Sequence, residues 1–262
     1  MLVRCSYLDT FRILLLTRCL ALCDYFDNLN KCNINDGECE RDLIQNIIRD
    51  IAKTGVPELK IPPIDPITLT NVSVSIVDLI DLTLVDVIVK GVKDCVVDKF
   101  STNVETERAF MELTCDVSVK AHYKVFSKSP LIKTLLGGDT VNGDGNLKVK
   151  IEKIHIRFDY LFYIQQRADD IYIKCKKTKT IYEYDILGKL NVYLDNLYLG
   201  KQDASETVSS LINQNWKFLQ TAFGKPFMDK AMEFVYEFVH AFFDNVPVKY
   251  YISEDLSKYA RE

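Results

Sequence analysis

The sequence is poor in the features that mark catalysts and nucleic-acid binders. It has only three histidines and one tryptophan, and its charge is nearly balanced, with 33 Lys and Arg against 37 Asp and Glu. No basic face for nucleic acid is therefore expected. His122, His155 and His240 stand far apart, so we predict no metal site and no cofactor. No short motif of a hydrolase, phosphate-binding loop, redox pair or zinc protease occurs, and we predict that the protein is not an enzyme.

Long hydrophobic runs are also missing. No segment has the roughly 20 uninterrupted apolar residues that a membrane-spanning helix needs. At the N-terminus, Arg4 and Arg12 precede an apolar stretch from Ile13 to Leu22, which Arg18 interrupts. This arrangement is typical of a secretory signal peptide. We interpret residues 1–23 as a signal and residues 24–262 as one domain, which predicts a secreted, extracellular protein.

Removal of residues 1–23 leaves five of the eight cysteines, an odd number. Cys32 and Cys39 lie in a polar segment, with six residues between them. This spacing predicts a disulfide that closes a short loop in an oxidising compartment. At least one of Cys95, Cys115 and Cys175 is then unpaired or pairs between chains.

Proline is scarce, and four of the seven prolines lie within residues 55–66. Just before them, Leu43, Ile47 and Ile51 mark the apolar face of an amphipathic helix. Because each proline fixes φ and removes a backbone donor, residues 55–66 form a stiff connector. Their apolar residues predict that the connector lies along a core in polyproline-like form.

After the prolines the apolar residues alternate with polar ones. The longest alternating runs cover residues 113–123 and 147–162, and a change of parity at Lys153 predicts a bulge. Such strands imply a large antiparallel sheet with one buried face. Residues 142–145 are interpreted as a hairpin turn and not as a calcium loop, because Ile151 would occupy the last ligand position of an EF-hand.

The C-terminal region changes to helical spacing. From Ser205 to Phe243 large apolar residues recur every three or four positions, which predicts one long helix bent near Gly224 and Pro226. Such a helix must be covered, and the dry face of the sheet is the available partner. The predicted fold is α+β: a strongly curved antiparallel sheet wrapped round a long C-terminal helix, with a short N-terminal helix.

Aromatic residues are plentiful, with 14 Phe and 14 Tyr. Many fall on the inward parity of strands or on the terminal helix. Where side chains leave the space inside the sheet unfilled, an apolar tunnel for a lipid-like ligand results, and a few tyrosine hydroxyls would orient the ligand. The predicted lining residues are Val117, Val119, Tyr123, Ile156, Phe158, Tyr160, Phe162, Tyr182, Tyr184, Trp216, Phe223, Phe227, Phe234 and Phe238.

Four segments follow one another in an order that is typical of one protein family. They are the two-cysteine loop, the proline segment 55–66, Gly143 to Gly145, and Leu211 to Trp216. Over roughly residues 28–253 the chain closely resembles the haemolymph juvenile-hormone-binding and Takeout family of insects. The resemblance implies a tubular lipid-binding fold and a secreted carrier of a small hydrophobic ligand, either a terpenoid hormone or a fatty-acid-like lipid. Some members of that family are linked to circadian rhythm.

The chain departs from the hormone-binding branch in its cysteines. That branch has a second disulfide between a strand and the terminal helix, whereas residues 205–243 contain no cysteine. Cys95 and Cys115 flank a turn near Asn103 to Thr106 at nearly equal distances, which suits a cross-strand pair. The alternative is a pair between Cys115 and Cys175. The departure makes the chain more similar to the Takeout branch.

Two further points concern function and modification. The alternative function is an innate-immunity-type module that binds lipid surfaces without extracting a ligand. Asn71 begins an Asn-x-Ser sequon and is a candidate glycosylation site, although its strand position leaves its use open.

Overall fold

The computed structural model describes residue 26 and residues 28–76, 80–127, 140–178 and 181–261. The helices are α1 (Gly37–Ile51), α2 (Ser205–Gln214), α3 (Trp216–Phe223) and α4 (Lys225–Asn245). The strands are β1 (Ile67–Ile76), β2 (Ile80–Lys90), β3 (Val96–Asn103), β4 (Arg108–Ser127), β5 (Val141–Arg167), β6 (Asp170–Cys175), β7 (Ile181–Ile186), β8 (Leu190–Leu194), β9 (Leu197–Leu199), β10 (Gln202–Asp203) and β11 (Ala260–Arg261).

Two long strands, β4 and β5, form the spine of a single sheet. The first half of β4 pairs with β3 and its second half with β2, which in turn pairs with β1. Along its length β5 pairs in succession with β9, β8, β7 and β6. These pairings are antiparallel, while the short β11 joins β5 in parallel. Within the described residues β1 and β10 do not pair with each other, so the sheet is not closed.

A bulge bends both spine strands at the same level. The register of β4 against β5 shifts between Cys115 and Val117. Opposite this shift, Lys153 has a φ of 52°, and its backbone N–H donates to the Asp116 carboxylate at 2.7 Å. The predicted change of parity at Lys153 is therefore confirmed. The bulge divides the sheet into two halves with separate apolar cores.

The larger core contains the C-terminal half of β5, α1 and α4. Phe158 and Phe162 of β5 and Met232 of α4 are almost wholly buried in it. The smaller core lies under β1, β2, the C-terminal half of β4 and the N-terminal end of β5. It contains the buried Tyr123, and Val208 of α2 packs against it. A large antiparallel sheet thus packs its inner face against C-terminal helices, and the predicted α+β fold is confirmed.

The C-terminal helix is divided into three pieces, where the sequence predicted one bent helix. The breaks fall at Asn215 and at Gly224. Asn213, just before the first break, exchanges two hydrogen bonds with the backbone of Val192 in β8, which ties α2 to the sheet. At Gly224 an added Cβ would lie 2.3 Å from the hydroxyl oxygen of Tyr184, so the close approach of this ring requires glycine.

These breaks also shift the buried face of the last helix. The sequence placed Phe227 on that face, but its side chain is exposed. The buried residues of α4 are Met228, Met232, Val239 and Phe242. Since α4 starts anew at Lys225, its angular phase is set by its own contacts and not by continuation from α3.

The predicted hairpin turn at residues 142–145 was wrong. These residues lie inside β5, where Gly143 pairs with Val125 and Gly145 pairs with Tyr123. A Cβ at Gly143 would lie 2.9 Å from the Tyr123 ring, and one at Gly145 would lie 2.3 Å from the carbonyl oxygen of Asp195. The glycines therefore allow close packing, which local sequence does not distinguish from a turn.

The proline segment lies against the core as predicted, but it is not polyproline-like throughout. Pro57–Leu59 forms a 3-10 turn, and Val56 and Ile61 on either side pair through their backbones and are buried. The segment is anchored by the buried carboxylate of Asp65, which accepts hydrogen bonds from the backbone N–H groups of Gly91 and Lys93, each at 3.0 Å. The turn and these long-range hydrogen bonds account for the compact form.

The predicted disulfide between Cys32 and Cys39 is present. Of the open alternatives for the remaining cysteines, the structure has Cys95 paired with Cys115, across β3 and β4. Cys175 at the end of β6 is buried with a free thiol, and burial raises its pKa to about 12. The predicted signal peptide, residues 1–23, lies outside the described residues.

Candidate ligand-binding site

A ladder of aromatic rings lines the inner face of β5. Phe158, Tyr160 and Phe162 follow one another with ring centroids 6.5 Å apart, because inward side chains of a strand are two residues apart. Helix α4 adds two rings: Tyr236 lies 6.0 Å from Phe158, and Phe243 lies 5.8 Å from Tyr160. This aromatic layer joins the helix to the sheet.

A cavity of about 40 Å³ lies beside this ladder, among α1, the sheet and the end of α4. Its wall is mostly aliphatic and aromatic. Since roughly 10–15 Å³ of such volume holds one water molecule, the cavity has room for one small oxygen-bearing group. The lining residues are Glu40, Leu43, Ile44, Ile47, Phe100, Thr102, Tyr160, Phe162, Ile173, Phe242, Phe243, Tyr251 and Ile252.

Two polar groups in this wall are buried. Glu40 is 4% exposed, and burial raises its pKa from 4.5 to about 8, although a hydrogen bond with Thr102 acts in the opposite direction. Tyr251 is 5% exposed, and burial raises its pKa well above the ordinary value for tyrosine. Both side chains are therefore mainly neutral at pH 7.

The hydroxyls of Tyr182 and Tyr184 bind protein groups. The Tyr182 hydroxyl donates to the Asp229 carboxylate at 2.6 Å, and burial together with this carboxylate raises the tyrosine pKa. The Tyr184 hydroxyl donates to the backbone carbonyl of Gln220 at 3.4 Å. These two tyrosines join β7 to the C-terminal helices, whereas Tyr160 lines the cavity.

The structure brings some of the residues predicted to line a tunnel together and separates others. Tyr160 and Phe162 border the cavity. Those in the larger core away from the cavity wall are Val117, Ile156, Phe158, Tyr182, Tyr184, Trp216 and Phe238. Val119 and Tyr123 belong to the smaller core.

The remaining predicted lining residues lie on the C-terminal helices. Phe234 packs with Ile64 and Ile67, next to the proline segment. Phe223 is half-buried, and Phe227 is 37% exposed. The predicted set therefore spans both halves of the sheet and is not gathered round the one cavity described above.

Sequence reasoning missed the contribution of α1 to the cavity wall. Glu40, Leu43, Ile44 and Ile47 recur at helical spacing and all line it. The sequence did contain one indication of this site, because Glu40 places a carboxylate on the apolar face of the amphipathic helix. Tyr251 had no comparable signal, because it reaches the cavity through the backbone pairing of its neighbour Ile252 with Cys32.

No helix in the described part of the chain is long and apolar enough to cross a membrane. Within those same residues, no three His, Cys, Asp or Glu side chains gather as a metal site requires. The chemistry available at the cavity is hydrogen bonding by neutral hydroxyl and carboxyl groups within an apolar wall.

The model of the family described as haemolymph juvenile hormone binding protein matches residues 13–253. The chain belongs to this family. Membership implies a carrier that binds a hydrophobic ligand. The crystal structure of Epiphyas postvittana Takeout 1 has the same fold, with a TM-score of 0.74 and 24% sequence identity over 86% of this chain and 99% of that chain. No curated protein matches the sequence.

Proposed function

We propose that this member of the juvenile hormone binding protein family is a secreted carrier that encloses a small terpenoid or fatty-acid-like ligand between the sheet and the C-terminal helices. It acts by binding and shielding an apolar molecule, without catalysis. The observation that carries the proposal is the cavity, whose wall is apolar except for a few hydrogen-bonding groups. Such a composition is typical of sites for small hydrophobic molecules.

The ligand would extend beyond the present cavity along the aromatic ladder. A volume of about 40 Å³ holds only one end of such a molecule. We propose that the rest displaces side chains of the predicted lining set, starting with Phe158 and Tyr160.

Secretion is the second part of the proposal, with residues 1–23 as the signal. The disulfides Cys32–Cys39 and Cys95–Cys115 suit an oxidising compartment. Asn71 lies exposed on β1, which suits glycosylation on the secretory pathway. Mass spectrometry of protein secreted by insect cells tests both points by reporting the N-terminal residue and the mass of any glycan.

Native mass spectrometry followed by organic extraction tests the carrier function. We expect the purified protein to retain extractable lipid, and we expect an apolar fluorescent probe to bind the lipid-free protein. The matched variants are Ile44→Phe, which adds volume at the cavity wall, and Ile181→Phe, which makes the same change at an exposed site on β7. Ile44→Phe should weaken probe binding about tenfold, whereas Ile181→Phe should leave it within about twofold.

Two results would contradict the proposal. A protein that retains no lipid and binds no apolar probe is not a carrier. Sedimentation with liposomes, without extraction of lipid from them, would instead support the alternative of a module that binds lipid surfaces.

A further inference from the structure

Two oxygen atoms at the cavity lack hydrogen-bond partners among the described residues. They are Oε2 of Glu40 and the hydroxyl oxygen of Tyr251, both fully shielded from solvent. Burying a polar group without a partner is unfavourable, and such groups are rare in folded proteins. Both side chains line the same cavity. Their common position points to a ligand that supplies the missing partner.

The surrounding structure holds these groups in place. Glu40 lies in the first turn of α1, next to the Cys32–Cys39 disulfide. The Tyr251 ring packs against Phe242 at 5.9 Å and Phe243 at 6.1 Å between centroids. A polar end is therefore built into an otherwise apolar wall.

Both groups can act as hydrogen-bond donors. The pKa of Glu40 is raised to about 8 mainly by burial, and the charges of Asp36 and Glu254 act in the same direction. The other groups that face Glu40 are Thr102, which bonds it, and the hydroxyls of Tyr160 and Tyr251. Since burial keeps both tyrosines protonated, the described residues of the cavity wall present O–H groups and no positive charge.

We propose that Glu40 and Tyr251 bind the oxygen-bearing end of the carried ligand, and that this end is uncharged: an ester, carbonyl, ether or hydroxyl group. The inference rests on the proposed carrier function and selects among its ligands. A ligand carboxylate would find no cation among the described residues of the wall, and it would lie near Asp36 and Glu254. Above pH 8 Glu40 ionises and ceases to donate, so the bound oxygen loses that hydrogen bond while Tyr251 still donates.

Displacement of N-phenyl-1-naphthylamine by three ligands with the same 12-carbon chain tests the proposal. The ligands are methyl laurate, lauric acid and dodecylamine, each measured at pH 6.5 and 9.5 with the chain lacking residues 1–23. At pH 6.5 methyl laurate should bind at least about tenfold more tightly than lauric acid, since one net hydrogen bond or one unpaired charge is worth about that factor. Its affinity should fall severalfold at pH 9.5.

The variants separate the two groups. Tyr251→Phe should weaken methyl laurate about tenfold and retain the loss of affinity at pH 9.5. Glu40→Gln keeps a donor at every pH, so methyl laurate should bind at pH 6.5 and lose no affinity at pH 9.5. The matched control is Tyr198→Phe, which removes the hydroxyl of an exposed tyrosine on β9 and should change nothing. Thermal unfolding checks that each variant folds.

Each other outcome overturns the inference in a distinct way. If ester and acid bind equally and both variants bind as the parent does, the two oxygens bind buried water only. If dodecylamine binds best, Glu40 acts as a carboxylate for a cationic ligand. If none of the three ligands nor the probe binds, the carrier function itself has failed.

Discussion

Replacing Glu40 with Gln should make the stability of the protein less dependent on pH. The pKa of this carboxyl is about 8 in the folded protein against an ordinary 4.5. Between these values the folded chain holds a proton that the unfolded chain releases. The contribution of Glu40 to stability is therefore fully present below pH 4.5 and is lost as the pH rises through 8.

The magnitude follows from the size of the shift. Within this window the free energy of unfolding falls by about 1.4 kcal/mol for each pH unit, and the fall levels off above pH 8. Between pH 6 and pH 9 the parent protein should therefore lose about 3 kcal/mol through this group alone. For a chain of this size that corresponds to a fall of roughly 6–12 °C in Tm. Glu40→Gln removes this component because glutamine does not titrate.

Urea unfolding at pH 6, 7.5 and 9 measures the effect as the difference between variant and parent at each pH. Glu38→Gln is the matched control, since Glu38 lies in the same turn of α1 but is exposed. We expect its difference from the parent to stay constant. If the difference for Glu40→Gln also stays constant from pH 6 to pH 9, Glu40 does not hold a proton in the folded state and the reasoning is refuted.

Three further outcomes are expected. In the chain lacking residues 1–23, the buried thiol of Cys175 should resist labelling at pH 8. After unfolding without reductant, one thiol per chain should be labelled. Three or more labelled thiols would disprove the disulfide assignment. Gly143→Ala should lower the free energy of unfolding by about 1–3 kcal/mol in urea titrations, because the new methyl group meets the Tyr123 ring. Asp65→Ala should lower it by about 2–4 kcal/mol by leaving two backbone N–H groups unpaired, whereas a change below 0.5 kcal/mol would show that the connector needs no such anchor.

Several features of the fold were predictable because they depend on local periodicity. The alternation of β4 and β5 marks one wet and one dry face, and the parity change at Lys153 locates the bulge. The spacing of Cys32 and Cys39 identifies a loop that a disulfide can close. These signals survive in the structure because each involves neighbours in sequence.

The errors have a common physical cause, which is contact between distant segments. Gly143 looked like a turn residue. It is instead a strand residue that must lack a side chain, because the ring of Tyr123 on the neighbouring strand β4 occupies that space. Phe227 looked buried, but the helix restarts at Lys225 and turns this side chain outward. Spacing along the chain does not report either contact.

By itself the sequence determined the family, the α+β class, the N-terminal disulfide and the bulge, since these follow from residue order and spacing. Only the tertiary structure decided which cysteines pair across β3 and β4 and where the cavity lies. It also placed Glu40 of α1 and Tyr251 near the C-terminus in one apolar wall. Their burial in that wall raises the pKa of Glu40 to about 8. An ordinary surface carboxylate would be ionised at pH 7, so long-range packing sets the chemistry of this site.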